Sequence, residues 1–377
     1  MSGAPPAAAH TGGGVREAEA VNIEWASLGR GDPAVLRRIG EAFGPDGLGL
    51  LTVSGVPGYA EARGALLPLA SRLAALDEGE LARMEDPEGN WNFGWSHGRE
   101  TLEGGAPDRR KGSFYANPSI DVPTSDAGLV AAFPSYCRPN VWPAAGVLDD
   151  LEPAFKALGR LSVRVGSLLA AECDRYVLNA LPDEASRARY TRLQDVVDTS
   201  PACKARLLHY YPPSPDDGGD GDSSSDVDGQ DGPSGTWCGW HTDHGSLTGL
   251  AGGMYVDAEG REVGNPDPGH AGLHVRNRRG ETVRVAIPAG CMAFQVGETT
   301  QVLSGGLLRA TPHAVVAARP GAPSTRGVSR ASFAVFMQPR WDTPMASPLE
   351  GADVGVGAWR PGLDFGAFTN ATLAQYY

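Results

Sequence analysis

The chain has 377 residues, of which 41% are hydrophobic and 20% charged, with 51 glycines, 30 prolines and a formal net charge of -13. This composition is typical of a soluble globular protein, and the many glycines and prolines favour turns over a helix bundle. An acidic chain without a long basic stripe is not expected to bind nucleic acid, and no apolar run is long enough to span a bilayer. We therefore expect a cytoplasmic monomer with neither nucleic acid nor membrane as a partner.

The first part of the chain combines short strands and helices. Residues 1–20 are rich in Ala, Gly and Pro and are predicted to form a disordered tail. Residues 21–25 alternate apolar and polar side chains, which predicts a strand, and Pro33 occupies a favoured first-turn position of a helix. Pro68 should kink the helical pattern of residues 60–83 or split it in two.

The middle of the chain contains an irregular segment followed by a helical one. Residues 86–145 are rich in Gly, Pro and aromatic side chains and are predicted to be irregular but ordered. From residue 151 to about 178 the apolar residues recur at helical spacing, which predicts one long supporting helix.

The second half of the chain reads as strands separated by Gly, Pro and Asp turns. Many short strands without helices between them are typical of a sandwich, a barrel or a jelly roll. The fold class is therefore predicted to be mainly β with supporting helices. The predicted strands are 206–211, 239–250, 272–276, 282–287, 291–296, 301–303, 313–317 and 331–337.

An acidic segment interrupts these strands. Residues 214–235 consist mostly of Asp, Ser, Gly and Pro, which cannot form a buried core, so we predict a disordered surface loop. A calcium-binding loop is the alternative, but residues 220–225 have no Gly at the sixth position and no closing Glu follows.

The strongest chemical signal is His241-Thr242-Asp243. If this segment is a strand, residues i and i+2 share a face, so an imidazole and a carboxylate would project together. They are two of the three ligands of a facial Fe(II) site, and His313, which opens a later predicted strand, is the candidate third ligand. An isolated His-x-Asp is more often structural than metal-binding.

A further motif supports the interpretation of these residues as metal ligands. Arg330 and Ser332 again stand at i and i+2 of a predicted strand, and a guanidinium next to a hydroxyl is a suitable receptor for a carboxylate. Such a pair suits a dicarboxylate whose other end chelates a metal ion.

These motifs resemble a known family, the 2-oxoglutarate- and iron-dependent oxygenases related to isopenicillin N synthase and the plant flavonoid and hormone oxygenases. The metal motif matches almost residue for residue, and the other segments are similar, with His at 209 and 274, Gln at 295 and Glu at 298 in place of the family's residues. The segments that carry the resemblance are 209–213, 241–250, 272–275, 294–298 and 303–306.

The resemblance implies a double-stranded β-helix (jelly roll) core and a dioxygenase that oxidises a small organic substrate, releasing succinate and CO2. The implied cofactors are Fe(II), 2-oxoglutarate and O2, with ascorbate as a candidate reductant. His241, Asp243 and His313 would be the catalytic metal ligands. Tyr211, Arg330 and Ser332 would bind the far carboxylate of 2-oxoglutarate.

The resemblance also divides the chain. Residues 21–150 would be the N-terminal oxygenase region and 151–200 the supporting helices. Residues 201–345 would be the catalytic core, and 346–377 a C-terminal segment near the mouth of the active site.

Departures from the family pattern leave alternatives open. The gap between His313 and Arg330 is longer than usual, which makes Arg326 a rival carboxylate partner, although it lacks the following x-Ser. An oxidase of the isopenicillin N synthase type without 2-oxoglutarate, a protein side-chain hydroxylase and a non-catalytic binding protein on the same fold are the alternative functions.

Overall fold

The computed structural model describes residues 15–100, 107–213, 236–319, 323–352 and 354–374. Within these ranges no helix combines the length and hydropathy needed to cross a membrane.

Fourteen strands form two sheets in the described part of the chain. The five-stranded sheet has the order β1-β11-β10-β13-β7, and the larger sheet has the order β2-β3-β12-β8-β14-β6-β5-β4, with β9 paired to β8. The strands are β1 (Arg16–Ala18), β2 (Val21–Glu24), β3 (Leu50–Ser54), β4 (Gly94–His97), β5 (Lys111–Ala116), β6 (Lys204–Tyr210), β7 (Thr236–His241), β8 (Leu247–Val256), β9 (Glu262–Val263), β10 (Gly272–Arg276), β11 (Thr282–Val285), β12 (Met292–Val296), β13 (His313–Val316) and β14 (Ser329–Met337).

The helices lie before, between and after these strands, and Pro68 separates the second helix from the third as predicted. They are α1 (Pro33–Phe43), α2 (Tyr59–Leu66), α3 (Leu69–Ala74), α4 (Glu78–Arg83), α5 (Ala127–Ala132), α6 (Pro134–Cys137), α7 (Leu151–Ala180), α8 (Glu184–Arg189), α9 (Leu193–Thr199), α10 (Glu298–Leu303) and α11 (Phe365–Leu373).

Apart from the short β9, the strands from β6 to β14 alternate between the two sheets, except that β10 and β11 are neighbours in the same sheet. Strands β6, β8, β12 and β14 are neighbours in the larger sheet, whereas β7, β10, β11 and β13 are neighbours in the smaller one. This alternation winds the chain into a double-stranded β-helix, which confirms the predicted fold class. The N-terminal strands β2 to β5 extend the larger sheet at both of its edges.

The long helix α7 covers the outer face of the larger sheet. The ring of Phe155 on α7 packs edge-on against Phe333 of β14, with centroids 4.9 Å apart. A Cβ at Gly166 would lie 2.4 Å from the sulfur of Met337, so the helix can approach β14 only where it lacks a side chain. Burial of this face explains the predicted apolar stripe.

Two predicted strands were wrong, and both errors adjoin Asp243. Residues 239–250 are not one strand, because β7 belongs to the smaller sheet and β8 to the larger one, and residues 242–246 cross between them. Residues 301–303 lie in helix α10. Its β-branched residues favour a strand, but the hydroxyls of Thr299 and Thr300 donate to the carbonyls of His244 and Ser246, and this tertiary contact decides the local structure.

Other differences lie in the first third of the chain. The tail predicted for residues 1–20 is too long, because Arg16–Ala18 pairs in parallel with β11 and Arg16 contacts Glu281 at 3.0 Å. Residues 1–14 and 214–235 lie outside the described residues. Strands β4 and β5 were not predicted, since every residue of β5 is buried and no alternation marks it.

Candidate functional site

The three predicted metal ligands converge at one end of the β-helix. His241 is the last residue of β7 and lies opposite His313, the first residue of β13, with ring centroids 4.3 Å apart. Asp243 lies beyond the end of β7, in the segment that crosses to β8. Alternation along one strand, the predicted reason why His241 and Asp243 lie close together, is therefore wrong, because only His241 of this pair lies in a strand. The crossing segment brings the carboxylate to both imidazoles.

Hydrogen bonds to backbone carbonyls orient both histidine rings. Nδ1 of His241 lies 2.8 Å from the carbonyl oxygen of Gly239, and Nδ1 of His313 lies 3.2 Å from that of Thr311. A protonated Nδ1 that donates to a carbonyl leaves Nε2 with a free lone pair, which is the form that binds a metal.

Asp243 is fixed from two sides. The hydroxyl of Thr248 donates to Oδ2 of Asp243 at 2.6 Å, and the backbone N–H of Glu298 donates to its carbonyl oxygen at 2.8 Å. The other carboxylate oxygen, Oδ1, lies 3.7 Å from Nε2 of His241 and 3.9 Å from Nε2 of His313. Thr248 thus occupies one oxygen and leaves the second facing the imidazoles.

The electrostatics of the three side chains are coupled. Burial would raise the pKa of Asp243, but His313, His241 and Thr248 hold it below its usual range. Burial and the neighbouring His241 lower the pKa of His313 to about 4. For His241, burial is outweighed by Cys238 and Asp243, and the pKa rises to about 9. A proton on the His241 ring therefore disfavours a second proton on the His313 ring.

The donor set fits a divalent metal ion. The three ligand atoms all lie within 4.8 Å of one another. A metal ion about 2.1 Å from each donor places neighbouring donors roughly 3 Å apart, so small side-chain adjustments complete the set. Two imidazoles and one carboxylate that leave the remaining positions open are the ligands of a non-haem Fe(II) site.

Arg330 is buried inside the β-helix with unused hydrogen-bonding capacity. It is 9% exposed, its Cζ lies 5.2 Å from the ring of Tyr210, and Tyr255 lies opposite it on β8. Its Nη1 is buried and has no hydrogen-bond partner within the described part of the chain. A buried guanidinium nitrogen without a partner is costly, which favours an anionic ligand at this position.

The other residues predicted to bind the carboxylate lie at different positions in the structure. Ser332 is buried on β14, at the next position on the same face. Tyr211 follows β6, and its ring contacts the rings of His97 and His209, with centroids 5.2 and 4.7 Å away. Arg326 is exposed in the connection before β14. The structure thus brings together Arg330 and Ser332, whereas the contacts of Tyr211 are with the two histidines.

Sequence reasoning missed the residues that shape the space for Arg330. A Cβ at Gly253 would lie 2.6 Å from both Nε and Nη2 of Arg330, so only glycine leaves room for the guanidinium. The register between β8 and β14 shifts at this point. Arg63 of α2 donates to the carbonyls of Gly252 and Gly253 at 3.0 and 3.1 Å and so holds the shifted backbone. The Gly252-Gly253 pair inside an apolar strand was the available signal.

Comparison of the sequence with known families gives one match. The family described as the 2OG-Fe(II) oxygenase superfamily matches residues 202–339, which include both histidines, Asp243, Arg330 and Ser332. No curated protein is similar enough in sequence to be matched.

Solved structures share the fold over nearly the whole chain. A 2OG-Fe(II) oxygenase family protein from Caulobacter crescentus is 20% identical, with a TM-score of 0.62 over 94% of this chain and 98% of that one. A full-length protein of Neurospora crassa, solved in complex with alpha-KG and thymine, is 19% identical, with a TM-score of 0.59 over 94% and 96%. The rice dioxygenase for auxin oxidation is 19% identical, with a TM-score of 0.55 over 94% and 95%.

Proposed function

We propose that the protein oxidises a small organic molecule, because residues 202–339 match the 2OG-Fe(II) oxygenase superfamily. Membership of this superfamily makes the chain a non-haem iron oxidoreductase that uses 2-oxoglutarate and O2. Two proteins with the same fold support a small substrate, since one was solved with thymine and the other is a dioxygenase for auxin oxidation.

His241, Asp243 and His313 are proposed as the iron ligands, and Arg330 with Ser332 as the receptor for the far carboxylate of 2-oxoglutarate. The observation that carries the proposal is the combination of three convergent donor atoms with a buried guanidinium whose Nη1 has no partner among the described residues. Tyr211 remains the candidate third contact to this carboxylate.

The chemistry that Fe(II) supplies, when bound together with 2-oxoglutarate, is activation of O2 coupled to release of succinate and CO2. The chain's own residues orient the reactants and keep water out. Thr248 and the carbonyls of Gly239 and Thr311 fix the ligand orientations. Tyr210 and Tyr255 lie opposite Arg330 on the two neighbouring strands, and their rings pack against Trp237, so the charge of Arg330 acts in a buried region.

The test is an anaerobic titration of the metal-free protein with Fe(II) and then 2-oxoglutarate, in which the visible charge-transfer band of the chelate is recorded. We expect the band in the wild-type protein and in Arg326→Ala, the exposed control, and its loss in Arg330→Ala. Tight Fe(II) binding without a band would instead favour an oxidase that does not use 2-oxoglutarate. Absence of Fe(II) binding would contradict the proposal altogether.

A further inference from the structure

A group of buried and partly buried polar side chains continues the inner face of the larger sheet beyond Arg330, and we call this group the polar wall. Its members come from β5, from β6 and from the segment that follows β4. They are Glu100, Lys111, Ser113, Tyr115 and Arg206.

Strand register places the polar wall on the face that carries the proposed 2-oxoglutarate receptor. Lys111 lies opposite Tyr210, and Tyr210 lies opposite Arg330. Residues directly opposite one another in antiparallel strands project to the same face. Arg206 lies four residues before Tyr210 on β6, so its side chain projects to the same face.

A single carboxylate joins the wall. Glu100 accepts a hydrogen bond from Arg206 and another from the hydroxyl of Tyr115 at 3.1 Å, while Nζ of Lys111 lies 3.0 Å from its second oxygen. Arg206 also donates to the hydroxyl of Ser113, at 3.0 Å from Nε and 2.8 Å from Nη2. Every member thus contacts Glu100 or Arg206.

The two cations differ in how completely they are neutralised. Lys111 is 7% exposed and contacts two carboxylates, those of Glu100 and Asp108. Arg206 is 14% exposed and contacts one carboxylate. No hydrogen bond of its Nη1 is found within the part of the chain that the structure describes. Arg206 is therefore less completely neutralised than Lys111.

Burial of these charges is not needed to hold β5 against β6. On the opposite face of the same strand pair Phe114 lies opposite Leu207, and both are buried in the main core, while His209 is the polar residue on that face. Replacing buried ion pairs by packed apolar side chains is often neutral or stabilising, so charges retained on one face favour recognition over stability. The planar fork of an arginine is suited to a carboxylate.

We infer that Arg206 binds a carboxylate of the substrate, and that Glu100 holds the guanidinium in place until the substrate displaces part of that contact. This inference rests on the proposed oxygenase function and assigns its substrate to the class of small carboxylic acids. Ser113 and Tyr115 act as positioning residues, because they contact Arg206 and Glu100.

The experiment uses the full chain loaded with Fe(II) and 2-oxoglutarate under anaerobic conditions, and records the perturbation of the chelate band by added probes. The probes are phenylacetate, 3-phenylpropionate and indole-3-acetate, each paired with its primary amide. We expect at least one acid to bind about tenfold more tightly than its amide, and Arg206→Gln to remove that preference. Arg160→Gln, an exposed arginine on α7, is the matched control and should keep it.

A second variant separates recognition from a structural role. Glu100→Gln removes the internal competitor for Arg206 and should tighten binding of the acid severalfold, the opposite of the effect of Arg206→Gln. Damage to the fold would weaken binding in both variants. Arg206→Lys keeps the charge without the fork and should fall between wild type and Arg206→Gln.

The outcomes distinguish this inference from the proposed function. A normal chelate band with acids and amides binding equally, or with no acid binding, would overturn the carboxylate assignment and leave the oxygenase function intact. Weaker acid binding by Glu100→Gln would also overturn it. Absence of the chelate band would instead contradict the proposed function.

Discussion

The two ends of the proposed site are built by different means. At the metal end, three side chains lie at strand ends and in a crossing segment. Thr248 donates a hydrogen bond to Asp243, and the two histidines donate to backbone carbonyls. At the carboxylate end, Arg330 lies near the start of β14 and is held by shape, between the ring of Tyr210 and the space at Gly253. The metal end therefore depends on ligand chemistry and the carboxylate end on packing, so substitutions should separate the two functions.

The largest effect is expected from Asp243→Ala, which removes the oxygen that faces both imidazoles. Fe(II) affinity and turnover should fall by more than about 100-fold, beyond the loss of a residue that only orients a ligand. Isothermal titration with Fe(II) and succinate release measure the two quantities. Asp257→Ala, at an aspartate in the turn after β8, is the control. Wild-type rates in Asp243→Ala would refute the metal assignment.

Gly253→Ala tests the carboxylate end. The added Cβ would lie 2.6 Å from Nε of Arg330 and should displace the guanidinium, so 2-oxoglutarate affinity should fall by roughly 10- to 100-fold while Fe(II) affinity stays unchanged. Gly290→Ala is the matched control, because a Cβ there would meet nothing within 4 Å. Equal 2-oxoglutarate affinities in the two variants would show that the space at Gly253 is not needed.

Thr248→Val removes the hydrogen bond to Asp243 with little change of shape. Fe(II) affinity should fall by about 10-fold, since partners that orient metal ligands contribute on this scale. Thr248→Ser keeps the hydroxyl and should bind Fe(II) almost as the wild type does. The affinity for 2-oxoglutarate, measured at saturating Fe(II), should change in neither variant. A parallel loss of both affinities would mean that the two ends are not independent.

The polar wall differs from both ends of the site, because its charged side chains are paired with one another and not with a metal ion or a ligand. Burial alone would raise the pKa of Glu100, but Arg206 and Lys111 outweigh it and lower the pKa to about 2. A carboxyl with a depressed pKa in the folded state stabilises the fold above its ordinary pKa, and this contribution is lost as the pH falls towards 2. Denaturant unfolding of the metal-free protein at pH 5 and pH 3 should show a smaller pH-dependent loss for Glu100→Gln than for the wild type. Glu259→Gln, at an exposed carboxyl, should behave as the wild type does.

The order of the elements was largely predictable from the sequence. Pro33 at the first turn of α1, the division at Pro68 and the apolar stripe of α7 are local signals, and the structure shows each of them. The candidate metal ligands were also found from local chemistry and motif resemblance. Their convergence was predicted for an incomplete reason, because Asp243 does not lie on the strand of His241.

What the sequence by itself determined was which side chains can ligate a metal and which segments can be helix or strand, since these properties depend on residue type and short-range periodicity. Only the tertiary structure decided that residues 298–303 form a helix, that Gly253 leaves space for Arg330, and that Arg206 shares a face with it. These features depend on contacts between residues far apart in the chain. A register shift of one residue would reverse the face on which each side chain projects.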